Sequence, residues 1–103
     1  MMPVTFTPGA RKQLAAIHDY IARENEAAAR AVVVRVEAVA GILGANPHVG
    51  YKLPRGRLRR FPVHLYPYLI YYEVTRSDVR ILRIRHAARY RAAFHEPVPA
   101  FAR

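Results

Sequence analysis

The sequence of 103 residues contains no cysteine. This absence excludes disulfide bonds, thiolate zinc sites and cysteine nucleophiles. The chain also lacks any apolar run approaching the roughly 20 residues that a membrane-spanning helix needs. Its first ten residues show no basic segment followed by an apolar one, so no secretory signal is expected. Together these absences predict a cytoplasmic protein with no membrane association.

Acidic residues are scarce, with seven Asp and Glu against 17 Lys and Arg, which gives a formal net charge of +10. The excess lies in the second half of the chain. Residues 1–46 hold five basic residues against four acids, whereas residues 47–103 hold twelve against three. This asymmetry predicts an anionic partner, either nucleic acid or an acidic protein segment.

Two helices joined by a very short connection are predicted in the first half. Thr7 followed by Pro8 is typical of a helix N-cap and first turn, and Asn25 is placed to cap the second helix. Gly44 and Asn46-Pro47 are expected to end that helix. On each helix, apolar residues recur at spacings of four, three and four, which predicts one buried face. These residues are Ala10, Leu14, Ile17 and Ile21 on the first helix, and Val32, Val36, Val39 and Leu43 on the second.

Four strands are predicted from β-branched and aromatic segments with period-two alternation. They are Val4–Thr7, Arg57–Phe61, Leu65–Thr75 and Val79–His86. Residues 48–56, rich in glycine and proline, are predicted to be a loop. The order β-α-α-β-β-β predicts an α+β fold, with a helical hairpin on one face of a small, mostly antiparallel sheet. We expect one domain over residues 1–103, with a core of about 4–94 and a tail of 95–103.

The last strand and the residues after it carry five arginines around one histidine, His86. Strict alternation places Arg83 and Arg85 on one side of the strand, and Leu82, Ile84 and His86 on the other. An imidazole has a pKa suited to proton transfer near neutrality, so catalysis is one interpretation. A structural histidine that donates to a backbone carbonyl is the other.

The whole pattern resembles the ParE toxins of the RelE/ParE superfamily of type II toxin–antitoxin systems. The resemblance spans about residues 4–94 and rests on a helical hairpin, a "Pxx-G" loop, a tyrosine-rich strand pair and a final "V-x-I-x-R-I-x-H-x-x-R" segment. These motifs fall on Pro47, Gly50, Leu58, Arg59, Phe61, Tyr66, Tyr68, Ile70, Tyr72, Val79, Ile81, Arg83, Ile84, His86 and Arg89.

The resemblance implies two partners. One is a ParD-like antitoxin, which neutralises the toxin by forming a hetero-oligomer with it. Operator DNA would be contacted only through this antitoxin. The other is a cellular target, which is DNA gyrase for ParE-like members and ribosome-bound mRNA for RelE-like members. Since Lys12 and Lys52 are the only lysines, the cluster that many ribosome-dependent relatives carry is missing, so we expect gyrase inhibition without catalysis by the toxin. An mRNA endonuclease and a non-toxic cationic binding module are the alternatives.

The candidate site residues form three sets. Expected target contacts are Arg59, Arg60, Arg83, His86, Arg89 and Tyr90. Expected antitoxin contacts are Leu14, Ile21, Arg57, Tyr66 and Arg80. If the protein cleaves RNA, the catalytic candidates are His86, Arg83, Arg59 and Tyr90, because RNA cleavage needs proton transfer and cationic stabilisation of a phosphorane. The histidines have no ligand-like spacing, so neither a metal nor a cofactor is expected.

Overall fold

The computed structural model describes residues 1–87, which form two helices and one five-stranded sheet. In chain order the elements are β1 (Val4–Phe6), α1 (Pro8–Ala22), α2 (Glu26–Ala45), β2 (Tyr51–Lys52), β3 (Arg59–Val63), β4 (Tyr68–Val74) and β5 (Val79–His86). The strands lie in the order β1-β5-β4-β3-β2, with β1 parallel to β5 and the other neighbours antiparallel. The predicted α+β class is confirmed. Arg89, Tyr90 and the predicted tail lie outside the described residues.

Both helices begin where the sequence predicts. The hydroxyl of Thr7 accepts a hydrogen bond from the amide of Ala10 at 3.1 Å, and the side-chain oxygen of Asn25 accepts one from the amide of Ala28 at 3.0 Å. Each cap satisfies an amide that has no partner inside its own helix. Neither α1 nor α2 is long and apolar enough to cross a membrane.

The main core lies between the helical hairpin and one face of the sheet. The four predicted residues of the α2 stripe are buried there, as is Ala10, while the other three α1 residues are half-buried against the same core. Val63, Ile70, Tyr72 and Ile81 of the sheet complete this core. A smaller cluster, formed by Leu53, Leu58, Leu69, Tyr71 and Ala87, lies on the opposite face.

The predicted end of α2 is confirmed at Asn46, which caps the helix after Ala45, whereas Gly44 lies inside its last turn. Gly44 has a different role. The amide of Met2 donates to its carbonyl at 3.0 Å, and a Cβ at Gly44 would lie 2.8 Å from the carbonyl oxygen of Met2. The glycine therefore permits the chain entering β1 to pack against the helix.

Three predicted strand boundaries are wrong. Two residues of the predicted loop, Tyr51 and Lys52, form the short edge strand β2, which adds a fifth strand to the predicted order. The next strand is Arg59–Val63 rather than Arg57–Phe61, because residues 53–58 turn back between β2 and β3. The following strand starts at Tyr68 rather than Leu65 because the chain turns at residues 64–67.

The prediction of strict alternation through the last strand is wrong at Leu82. Tyr71 pairs with Arg83 and Tyr72 with Ile81, so Leu82 is an extra residue on β5, a β-bulge. As a result Ile81 and Ile84 both face the helical core although they are three residues apart. We call the other face of the sheet, which carries Leu69 and Tyr71, the open face.

Candidate functional site

A row of side chains crosses the open face of the sheet. Tyr71 on β4 pairs with Arg60 on β3 and with Arg83 on β5, so the three side chains project from the same face. Beside them, Arg85 pairs with Leu69. Because adjacent strands are about 4.8 Å apart, the two arginines that flank Tyr71 start roughly 10 Å from each other. We call Arg60, Arg83 and Arg85 the arginine row.

Arg60 is held at one end of this row by an aromatic ring. Its guanidinium carbon lies 4.4 Å from the ring centroid of Tyr51, which is half-exposed on β2. A guanidinium over a tyrosine face is attracted by the negative face of the ring. The contact limits the conformations of Arg60 and places a stacking-competent ring beside its charge.

Arg80 also projects from the open face, but its charge is largely compensated. Its guanidinium lies 3.9 Å from the carboxylate of Glu73 and 3.7 Å from that of Asp78. A hydrogen bond from the hydroxyl of Thr75, aided by Arg80, lowers the pKa of Asp78, so that carboxylate stays charged at neutral pH. The expected antitoxin contact Arg80 is therefore already paired within this chain.

Arg59 does not belong to the arginine row. It pairs with Tyr72, whose side chain lies in the main core, and its guanidinium donates to the carbonyls of His48 and Gly50 at 3.1 and 2.9 Å. These bonds tie β3 to the loop that precedes β2. Arg59 has a structural task, and its predicted contact with a target stays a prediction.

The loop that precedes β2 is also held by Tyr72. Its buried hydroxyl accepts from the amide of Gly50 and donates to the carbonyl of Pro47, both at 2.9 Å. A Cβ at Gly50 would lie 2.5 Å from that hydroxyl and 2.8 Å from the carbonyl of Arg60. Burial raises the pKa of Tyr72, although the Gly50 amide and the Arg59 guanidinium oppose the shift. We call Pro47, Gly50, Arg59 and Tyr72 the loop clamp.

His86 faces the helical side of the sheet. It pairs with Tyr68, and the two rings make an edge-to-face contact with centroids 5.9 Å apart. Its Nδ1 atom is buried and makes no hydrogen bond with any of residues 1–87. The expected donation from this nitrogen to a backbone carbonyl is thus not found in the described part of the chain.

The candidate catalytic residues are not gathered in one place within residues 1–87. His86 and Arg83 project from opposite faces of β5. Arg59 lies on the same side as His86, but their partners on β4 are Tyr72 and Tyr68, four positions apart, or roughly 13 Å along the strand. Tyr90 lies outside the described residues. Proton transfer and cationic stabilisation would need groups within about 3 Å of the same phosphate.

A groove of about 450 Å³ opens between the two helices and β1. Its apolar floor is formed by Phe6, Leu14, Ala15 and Val33. Four charged or titratable side chains surround this floor: Arg11, His18, Asp19 and Glu37. His18 and Asp19 approach each other to 3.1 Å. Leu14, an expected antitoxin contact, lies in this groove.

The other expected antitoxin contacts do not share the groove. Ile21 lies about two turns beyond Leu14 on α1. It packs against the main core, as does Tyr66 in the turn before β4. Arg57 is exposed on the 53–58 loop, which Lys52 closes by donating to the carbonyls of Leu53 and Gly56. The expected antitoxin contacts therefore lie on several surfaces rather than one.

The sequence reasoning missed most of the groove residues. His18 and Asp19 lie outside the apolar stripe of α1, so that stripe assigns them to no site. The spacing of Arg11, Leu14, Ala15 and His18 was the available signal, because residues three and four apart share one helix face. This second face is rotated by one residue from the core stripe and carries both apolar and charged groups.

Comparison with known proteins agrees with this fold and these motifs. The family described as "ParE toxin of type II toxin-antitoxin system, parDE" matches residues 4–90. The chain belongs to the ParE toxin family. It is 39% identical over 89 residues to Toxin RelE2 of Caulobacter vibrioides, covering 86% of this chain and 99% of that protein.

A solved structure gives the same result. The chromosomal ParDE toxin–antitoxin system from P. aeruginosa contains a chain that superposes with a TM-score of 0.73 at 25% identity, covering 84% of this chain and 96% of that one. The RelE/ParE resemblance stated from the motifs is confirmed. In this ParE family member, the motif residues Pro47, Gly50, Arg59 and Tyr72 build the loop clamp, which gives those positions a physical reason. No three His, Asp or Glu side chains of residues 1–87 lie close enough to hold a metal ion.

Proposed function

We propose that this ParE family member is a toxin that inhibits DNA gyrase and is neutralised by a ParD-like antitoxin. Membership of a toxin family of type II systems supports the general role. The similar solved structure is described as a ParDE system, which supports a ParD-like partner. The relative from C. vibrioides carries the name RelE2, so mRNA cleavage is the alternative that the assays have to separate.

The observation that carries the choice of gyrase is the division of charge and imidazole between two faces. The arginine row lies on the open face, while His86 packs against Tyr68 on the other. Such a row can hold carboxylates or phosphates through bidentate contacts. The imidazole of β5 is not beside this row, and the carboxylate that shares the face with Tyr71, that of Glu73, is already paired with Arg80 at 3.9 Å. A toxin that holds its target without breaking a bond needs no general base.

The target is tested by two assays on the purified toxin. Gyrase is incubated with relaxed plasmid and increasing toxin, and supercoiling is followed on agarose gels. In parallel, translating ribosomes with a defined mRNA are treated with the same toxin, and cleavage is mapped by primer extension. We expect loss of supercoiling and intact mRNA. Codon-positioned cuts with unaffected gyrase would refute the proposal.

The arginine row is tested by removing one charge at a time. Arg60→Gln and Arg83→Gln should each weaken gyrase inhibition by about tenfold, because one charge-assisted hydrogen bond contributes roughly 1.5–3 kcal/mol. Arg23→Gln is the matched control, since it removes the same charge from the end of α1 on the helical side of the sheet. Equal weakening in all three variants would mean that net charge matters rather than this row.

We further propose that the groove beside α1 receives an apolar anchor of the antitoxin. The groove supplies an apolar floor with Arg11 on its wall, which suits a segment carrying an apolar residue next to an acidic one. The second surface, the open face, carries the arginine row, whose positive charge attracts an acidic segment over a distance. Antitoxin bound to both surfaces would cover the arginine row and block the target.

Two neighbouring alanines on α1, one inside the groove and one outside it, provide a test of this anchor site and a matched control. Ala15 lines the groove, whereas Ala16 is exposed outside it. Ala15→Glu should weaken antitoxin binding by about tenfold or more, measured by calorimetry, because the larger side chain occupies the groove and its negative charge repels the acidic residue of the anchor. Ala16→Glu introduces the same charge and should change the affinity by less than about threefold. Equal affinities would exclude the groove as an anchor site.

A further inference from the structure

Strand β5 extends well beyond the strand that pairs with it on one side. Parallel β1 accompanies β5 only as far as the pair Phe6 and Ile81, after which the chain turns into α1. From Leu82 onward, the backbone groups on this side of β5 therefore face no strand formed by residues 1–87. Such groups need other partners when they are shielded from water.

Two side chains from the start of α1 provide those partners. The side-chain oxygen of Gln13 accepts a hydrogen bond from the amide of Ile84 at 2.8 Å, and the hydroxyl of Thr7 donates to the carbonyl of Leu82 at 3.3 Å. Both contacts are partly buried, and they join residues more than 70 positions apart in sequence. The two residues contacted on β5, Leu82 and Ile84, flank Arg83 at the bulge.

The bulge decides which residues reach the open face. Without the extra residue Leu82, alternation that buries Ile81 would also turn Arg83 and Arg85 toward the helices. With it, Ile84 enters the core and both arginines project outward. The contacts at the bulge thus fix the register of the half of β5 that carries two members of the arginine row.

We propose that Gln13 is a positioning residue for target binding: by accepting from the Ile84 amide it holds the bulged half of β5 and keeps Arg83 and Arg85 aligned on the open face. The part of this inference that concerns the target rests on the proposed function. The part that concerns the strand does not. Thr7 acts beside it but also caps α1, so Gln13 is the residue that can be changed separately.

The test compares three variants of the full-length toxin. Gln13→Leu removes the acceptor at nearly the same size. Gln13→Glu keeps an oxygen that can accept from the amide. Ala16→Leu is the control, because it adds leucine to an exposed position of the same helix. Amide exchange of Ile84 and Ile81 is followed by NMR, together with antitoxin affinity and gyrase supercoiling.

In Gln13→Leu we expect about tenfold or faster exchange at Ile84, because a shielded amide has lost its only partner on that side, while Ile81 stays protected by β1. Gyrase inhibition should weaken about tenfold. Antitoxin affinity should change by less than about threefold, because the antitoxin is anchored in the groove and is attracted by the charge of the row rather than by its alignment. In Gln13→Glu and Ala16→Leu, exchange and inhibition should stay within about threefold of the original protein. A merely structural role would give equal loss of antitoxin binding and of gyrase inhibition, and would overturn the proposal.

Two further outcomes are decisive. Unchanged exchange at Ile84 in Gln13→Leu would overturn the proposal whatever the activity, and so would faster exchange with full gyrase inhibition. If the original toxin does not inhibit gyrase, the proposed function has failed. Local opening of β5 is then judged by exchange alone, with Ile84 against Ile81 as the internal comparison.

Discussion

The loop clamp permits a sharp prediction because its central hydroxyl is fully buried. Tyr72→Phe removes one oxygen and leaves the ring, so the main core keeps its volume. That oxygen accepts from the amide of Gly50 and donates to the carbonyl of Pro47. The two bonds from Arg59 to the same loop remain. We therefore expect lower stability with an unchanged fold.

The size of the loss in stability depends on whether each hydrogen-bond partner of the removed hydroxyl can bind another group instead. Gly50 is buried, so its amide would be left without an acceptor, and an unsatisfied buried donor costs about 1–3 kcal/mol. Pro47 is only half-buried, so water can replace part of its lost bond. The sum is about 2 kcal/mol of unfolding free energy, which corresponds to a decrease in Tm of roughly 10 °C for a domain of this size.

Equilibrium unfolding in urea, supported by calorimetry, measures this difference. Tyr20→Phe is the matched control, since its hydroxyl belongs to a side chain that is 70% exposed on α1. The control should change stability by no more than about 0.5 kcal/mol. If Tyr72→Phe is no less stable than Tyr20→Phe, the hydroxyl does not hold the loop and the clamp has been wrongly assigned.

Three further predictions concern stability. Gly50→Ala should destabilise more than Tyr72→Phe, as measured by urea unfolding, because the new Cβ would meet the carbonyl of Arg60 at 2.8 Å as well as the hydroxyl. Burial raises the pKa of Tyr72, so the contribution of its neutral hydroxyl to stability is complete below about pH 10 and is lost as the pH rises through the raised pKa. The difference in unfolding free energy between the original protein and Tyr72→Phe, measured between pH 8 and 11, should therefore narrow at the alkaline end. Asn25→Ala should cost about 1 kcal/mol by removing the acceptor for the Ala28 amide, and an equally stable variant would exclude that cap.

The helices were predicted well because their signals are local. The N-caps at Thr7 and Asn25 and the buried α2 stripe depend on residues three or four positions apart, and all are present in the structure. Strand ends were predicted poorly. The short strand β2 forms only because Tyr51 and Lys52 meet Arg60 and Arg59 across the 53–58 turn, and a two-residue segment has no periodicity of its own.

The sequence was sufficient to predict that the candidate site is a positively charged region, but not how its side chains are arranged in space. Alternation in the sequence placed Arg83 and Arg85 opposite His86, and the structure confirms that separation. Alternation did not decide which of the two faces meets the helices. The extra residue, Leu82, cannot be recognised from the sequence, because a leucine is ordinary at any position of a strand. The bulge is specified instead by the conflict between burying Ile81 and burying Ile84, and by Gln13, which is 71 positions from its partner. A contact of that range leaves no periodic trace in the sequence, so the burial of both Ile81 and Ile84 on one face could be assigned only from the folded chain.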